Sequence, residues 1–242
     1  MAQIKVLISG GFSGAYEELL PEFERESSIK VATGSGASQG TGPQTIAAQL
    51  ARGVPSDVVI LSREGLGELI AAKRIVAGTD VDLARVGVGV AVRAGAPKSD
   101  VSTVAAFKQV LLEARTIAVP GSTSGIWLVT ELFPRLGIAD KINVAVTPRG
   151  TGAAAMVAAG DADLAVLPTS EIMHAAGVDF AGNIAPEIQF IQTFSAAIVA
   201  GSTECEASKR LIEFLTSARA SGAIRKSGME PVAVRSASAG KR

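Results

Sequence analysis

One histidine, His174, and one cysteine, Cys205, are the chain's whole supply of the two side chains most often recruited as metal ligands and nucleophiles. A single His excludes a multi-histidine metal centre, and a single Cys excludes an internal disulfide and a cysteine-cluster metal site. Cys205 stands between Glu204 and Glu206, whose charges oppose thiolate formation, so it reads as structural. No metal or other cofactor is expected. Chemistry falls to carboxylates, hydroxyls, arginines, lysines, Tyr16 and His174.

What the sequence does supply is a set of small polar loops at strand ends. "TGSGASQGTGPQTIAAQLARGVPSDVVIL" runs from a Gly and Ser cluster into a helical pattern and then into an apolar strand. Similar loops hold Gly11, Phe12 and Ser13; Ser35, Ser38, Gln39 and Thr41; Ser122, Thr123 and Ser124; and Arg149 and Thr151. Pro168 ends a further strand, and several of these loops lead into helix N-termini, whose free N–H groups and dipole favour anions. Two arginines, Arg63 and Arg149, directly follow apolar runs, and guanidinium groups bind carboxylates through paired, planar hydrogen bonds. The set describes a site for a small anion, and arginines beside hydroxyl and amide donors suit a multi-carboxylate organic acid.

Three residues are candidates for acid–base work, each with a competing structural reading. Tyr16 follows the first glycine loop, but its spacing to Leu19, Leu20 and Phe23 favours a core position. Glu171 lies near the loop at Pro168, where "TSE" also reads as a helix start with an acid favoured by the dipole. His174 falls about a turn into that helix, which favours a surface or packing role.

Strands alternating with helices must position these loops, which means an α/β class with parallel sheet and ligands beyond the carboxyl ends of the strands. Strands are expected at 4–9, 30–33, 58–61, 86–95, 116–119, 142–147 and 162–168, with one long strand or two consecutive ones over 188–201. Helices are expected between them, and at 206–217 and 221–226. With 48% hydrophobic residues the chain has ample material for a core. Lys and Arg number 23 and Asp and Glu 23, so no broad positive field invites nucleic acid or membrane. No apolar run approaches the length of a membrane span. The glycine loops hold neither a G-x-G-x-x-G fingerprint nor a Gly-Lys-Ser/Thr ending, which argues against a dinucleotide or nucleotide fold.

The order of segments resembles the type II periplasmic-binding-protein fold, and within it the molybdate-binding branch. The likeness runs through "LPEFERESSIKV", "IAAQLARGVPSDVVILSREGLGELIAAKRI" and "AAAMVAAGDADLAVLPTSE", the middle stretch being the most specific. It implies two α/β lobes, residues 1–84 plus 195–242 and residues 85–194, joined by crossover strands and closing on a ligand. The molybdate site of that branch is matched badly here. Gly11 stands where the first loop would offer a Ser unless Ser9 or Ser13 substitutes, Pro168 stands where a Tyr would close the site, and "QGTG" enlarges the second loop. The branch is also similar to the bacterial aconitate isomerases, which implies an allylic proton shift on a tricarboxylate. The alternatives are a receptor for an ABC importer, the one case that implies an ABC permease as partner, and a cytoplasmic sensor. "MAQIKVLISGG" passes straight into a strand without a leader, so the expected form is a mature periplasmic protein or a cytoplasmic one.

Overall fold

The computed structural model describes residues 2–232; the end of the expected first lobe, beyond residue 232, lies outside the described residues. Its elements in order are β1 (Gln3–Ile8), α1 (Gly10–Ser27), β2 (Lys30–Ser35), α2 (Ile46–Ala51), β3 (Val58–Ser62), α3 (Arg63–Ala71) and β4 (Val81–Arg93). Then come α4 (Val104–Glu113), β5 (Ile117–Pro120), α5 (Thr123–Trp127), a π-helical turn (Leu128–Leu132) and α6 (Phe133–Arg135). The chain continues through β6 (Val144–Thr147), α7 (Gly150–Ala159), β7 (Leu164–Pro168), α8 (Thr169–Ile172), β8 (Val178–Asn183) and a 3₁₀ turn (Pro186–Ile188). It closes with β9 (Ile191–Ile198), α9 (Cys205–Thr216), a 3₁₀ turn (Ala218–Ala220), α10 (Ser221–Lys226) and β10 (Glu230–Pro231).

The strand order is β2-β1-β3-β9-β4-β7-β5-β6, with β8 and β10 pairing to β4. Two parallel sets, β2-β1-β3 and β7-β5-β6, flank the pair β9 and β4, which runs antiparallel to its neighbours. The parallel pairing expected of alternating strands and helices is found within each set, and the crossover strands β4 and β9 are antiparallel to them. Short βα units give parallel neighbours, but β4 and β9 are long strands that pass from one set to the other. β4 pairs with β9 through Gly87 and with β7 from Val88 onward, so one strand belongs to both sets.

Each set carries its own core. Ile4, Val6, Phe12, Tyr16, Leu19, Phe194 and Leu211 pack on one face of the first set, and Leu7, Ile46, Val59, Leu61 and Leu66 on the other. Val88, Phe107, Ile117, Leu128 and Val166 pack on one face of the second, and Ala118, Ala153, Val157 and Leu167 on the other. Strands buried on both faces read as continuous apolar runs, and β3 and β7 are buried at every position.

Local signals explain the boundaries. Thr45 accepts a hydrogen bond from the Ala48 amide, so α2 starts after Thr45 rather than at Pro43. Asp57 accepts from the Lys5 amide and from Ser202 Oγ, bracing the Gly-x-Pro-x-Asp turn into β3. The expected helix over 126–136 begins earlier, at Thr123, and contains the π turn. Trp127 within it stacks on Phe190, centroids 5.0 Å apart.

Candidate functional site

The loops at the carboxyl ends of the two parallel sets face one another across a narrow cavity. Its walls come from Ser9 and Gly10, Gly36 to Ser38, Ser122 to Ser124, Arg149 and Gly150, Glu171, and Gln192 on the crossover strand β9. The β2–α2 loop is held open by Gln49, whose Nε2 donates to the carbonyls of Ser35 and Gln44. Hydrogen bonds tie the opposing loops together. Arg149 Nη1 donates to Ser35 Oγ at 2.8 Å, the Gln39 amide to Ser122 Oγ at 3.2 Å, and Ser62 Oγ lies 2.7 Å from Thr123 Oγ1. The cavity offers about 20 Å³ to the centre of a water molecule, against the roughly 10–15 Å³ that one water needs. An organic acid enters only if these loops part.

Polar atoms without partners point at the chemistry. Ser9 Oγ, Arg149 Nε and Gln192 Oε1 are buried, line this cavity and have no hydrogen-bond partner among the described residues. A buried donor or acceptor left unpaired costs about 1–3 kcal/mol, so a cluster of them marks a place built for a polar ligand. The long helices α1 and α7 also open on the cavity with no side chain capping their first turn. By contrast α2, α3 and α4 are capped by Thr45, Ser62 and Thr103. Free amides and positive dipole ends at α1 and α7 favour an anion between them.

Glu171 stands at that point. A Cβ built on Gly150 would lie 1.8 Å from its Oε2, and one on Gly10 would lie 3.1 Å away, so the carboxyl packs against the first residues of both helices. Burial pushes its pKa up to about 7, against the nearby Arg149 charge, which holds it down. A carboxyl poised near neutrality suits proton transfer in either direction. Arg149 beside it supplies a guanidinium for a ligand carboxylate.

The structure places Ser38, Ser122, Thr123, Ser124, Arg149, Pro168 and Glu171 around one cavity. Ser35 and Gln39 stand one step back, holding Arg149 and Ser122. The other candidates lie elsewhere. Arg63 turns away and is paired with Asp80 at 2.7 Å and Asp82 at 3.1 Å, carboxylates that arrive from the start of β4 and the turn before it. Tyr16 is buried in the core, its hydroxyl 2.8 Å from Thr33 Oγ1, and burial pushes its pKa up to about 12. Phe12 is core as well, because α1 begins at Gly10 and turns it inward. Gly11 serves packing: a Cβ there would meet the Phe194 ring at 2.0 Å. Thr41 is exposed on its loop. Ser13, Thr151 and His174 line a separate outer cavity, with Ser13 Oγ donating to the Gly10 carbonyl. Gln192 was missed within an apolar run, where its one signal was a lone amide among strand-forming residues.

Residues 4–230 match the family described as bacterial extracellular solute-binding protein. The chain is 36% identical over 233 residues to aconitate isomerase from a Pseudomonas species, covering 95% of this chain and 88% of that one. Among solved structures it superposes on the periplasmic molybdate-binding protein of Azotobacter vinelandii with a TM-score of 0.71 at 21% identity, over 93% of this chain and 98% of that one. It superposes on the sulfate-binding protein SubI of Mycobacterium tuberculosis with a TM-score of 0.76 at 20% identity, over 96% and 88%. Both share the mixed α/β architecture described above. This chain therefore belongs to the family of bacterial extracellular solute-binding proteins.

Proposed function

We propose that the protein binds a small polycarboxylate in the cavity between its two strand sets and isomerises it, as an aconitate isomerase acting between trans- and cis-aconitate. The carrying observation is Glu171, a carboxyl near pKa 7 packed between the first turns of α1 and α7 beside Arg149. The likeness to aconitate isomerase from Pseudomonas supports the choice of acid.

In this reading each group has a task. Arg149 and the amides opening α1 and α7 hold ligand carboxylates, and Ser9 and Gln192 offer further hydrogen bonds. Glu171, ionised, takes a proton from the substrate methylene; the C–H bond breaks and its electron pair enters the allylic system as a dienolate. Arg149 and the helix amides face the developing negative charge. Glu171, now neutral, delivers a proton to the other end of the allyl unit, a new C–H bond forms, and the double bond has moved.

In this reading the described residues of 1–84 plus 195–242 are one lobe and residues 85–194 the other, with β4 and β9 as the hinge between them. Parting of the Arg149–Ser35, Gln39–Ser122 and Ser62–Thr123 contacts admits the ligand. The family supports a periplasmic setting.

The test is to incubate purified protein with trans-aconitate and follow cis-aconitate by chromatography, beside a thermal-shift panel that includes molybdate. Formation of cis-aconitate is expected. No turnover, together with stabilisation by molybdate, replaces this reading with a receptor serving an ABC permease.

A further inference from the structure

Glu171 lines two cavities. One is the narrow ligand cavity; the other, with about 460 Å³ open to water centres, lies on its opposite side between α1, α7, α8 and α10. The outer chamber is walled by Ser13, Gly14, Thr151, Ser170, His174 and Ala175, and Glu17, Glu18 and Lys226 also line it. Its construction is specific. Gly10 and Gly14, one turn apart on α1, make room for Glu171 and His174, since a Cβ on Gly14 would lie 2.3 Å from the imidazole ring. His174 Nε2 is tethered 2.9 Å from Ser227 Oγ. Ser170, 3% exposed, has a hydroxyl with no partner among the described residues and lines the same chamber.

The charges facing Glu171 differ between the two sides. Arg149 stands on the ligand side. The chamber side carries Glu17, Glu18, Lys226 and the His174 ring, and Lys226 is taken up by Glu18 at 2.9 Å, which leaves Glu17 to bias the chamber negative. An acidic chamber repels a polycarboxylate and admits water and protons. One carboxyl thus borders two cavities of different charge lining.

We propose that the outer chamber is the proton-exchange route of Glu171, open to solvent while ligand fills the cleft. The inference rests on the isomerase reading above. When Glu171 takes the methylene proton, the C–H pair goes into the dienolate and the proton sits on the carboxyl oxygen. That proton exchanges with chamber water, with Ser170 and His174 as hydrogen-bonding wall groups, before Glu171 forms the new C–H bond. One substrate hydrogen is thus replaced by one from solvent, with no net gain or loss of protons.

The experiment is isomerisation of trans-aconitate in D2O, with the deuterium content of the cis-aconitate read by NMR at low conversion. Wild-type protein is expected to place solvent deuterium in the product. Ala175→Trp and Glu17→Trp, two independent ways of filling the chamber, are expected to lower the deuterium fraction at least threefold while turnover stays within a few-fold. Product carrying the substrate's own hydrogen in the wild type overturns the inference and leaves the isomerase reading standing. So does a deuterium fraction that neither variant changes while both still turn over. Absence of any turnover in the wild type overturns the isomerase reading itself and this inference with it.

Discussion

Arg63 and Arg149 occupy matching places in the sequence, each directly after an apolar strand or its turn, and the fold gives them opposite fates. Arg63 is met by Asp80 and Asp82, and Asp82 also accepts a hydrogen bond from Ser195 on β9, so this guanidinium braces the crossover strands where they leave the first set. Among the described residues Arg149 meets no carboxylate at ion-pair distance; it donates to Ser35 across the cavity, and its Nε, beside Glu171, is buried without a partner there. The local sequence around an arginine does not say whether it binds ligand. What decides is whether a carboxylate arrives from a distant strand to neutralise it.

The largest expected effect separates catalysis from binding. Glu171→Gln should lower conversion of trans-aconitate by about 10²–10⁴-fold, the usual contribution of a placed acid–base group, while a thermal-shift titration with tricarballylate still shows binding. Conversion within threefold of wild type would remove Glu171 from the chemistry.

Next come the two arginines, measured side by side. Arg149→Ala should weaken tricarballylate binding by about 2 kcal/mol or more, roughly thirtyfold, because it removes the partner of a desolvated carboxylate. Arg63→Ala should leave that affinity unchanged. A reversed pair of results, read by calorimetry, breaks the comparison.

The pH dependence of stability sharpens it. The Glu171 carboxyl is raised from its ordinary 4.5 to about 7, so between those values the folded protein holds a proton that the unfolded chain has lost. Stability from this group is present at low pH, falls as pH rises toward 7, and is flat above. The gap between Glu171→Gln and wild type in urea unfolding should therefore widen in favour of the variant from about pH 4.5 to 7. A gap that stays constant would show that Glu171 is not held neutral by burial.

Gln192→Leu should raise stability by about 1 kcal/mol in urea unfolding, since it removes a buried amide oxygen with no partner, yet weaken ligand binding. Loss of stability would place the amide in the scaffold instead. Smallest of all, Arg63→Ala should cost at most about 1 kcal/mol of stability, because its ion pairs are partly exposed.

Much of this was legible in the residues. Apolar runs such as 58–61 and 162–168 marked strands, and Gly and Ser loops marked the ends where the cavity forms. The rest depended on contacts far apart in sequence. β8 escaped notice because VDFAGN is short and half-buried, and it pairs only at the far end of β4. Phe12 was read with the first glycine loop, whereas α1 starts at Gly10 and turns it inward, beside Tyr16, whose spacing already favoured the core. Gln192 acquires meaning only when β9 runs between the two strand sets, and Asp80 and Asp82 only when β4 is seen to start beside Arg63.

The most direct test of the central claim is a crystal structure with tricarballylate, which has no double bond to move. A ligand carboxylate should lie on the Arg149 guanidinium, and a methylene carbon should stand within about 3–3.5 Å of a Glu171 oxygen, the spacing proton transfer requires. A ligand seated on Arg63, or one whose methylene carbons all lie beyond reach of Glu171, would contradict the account.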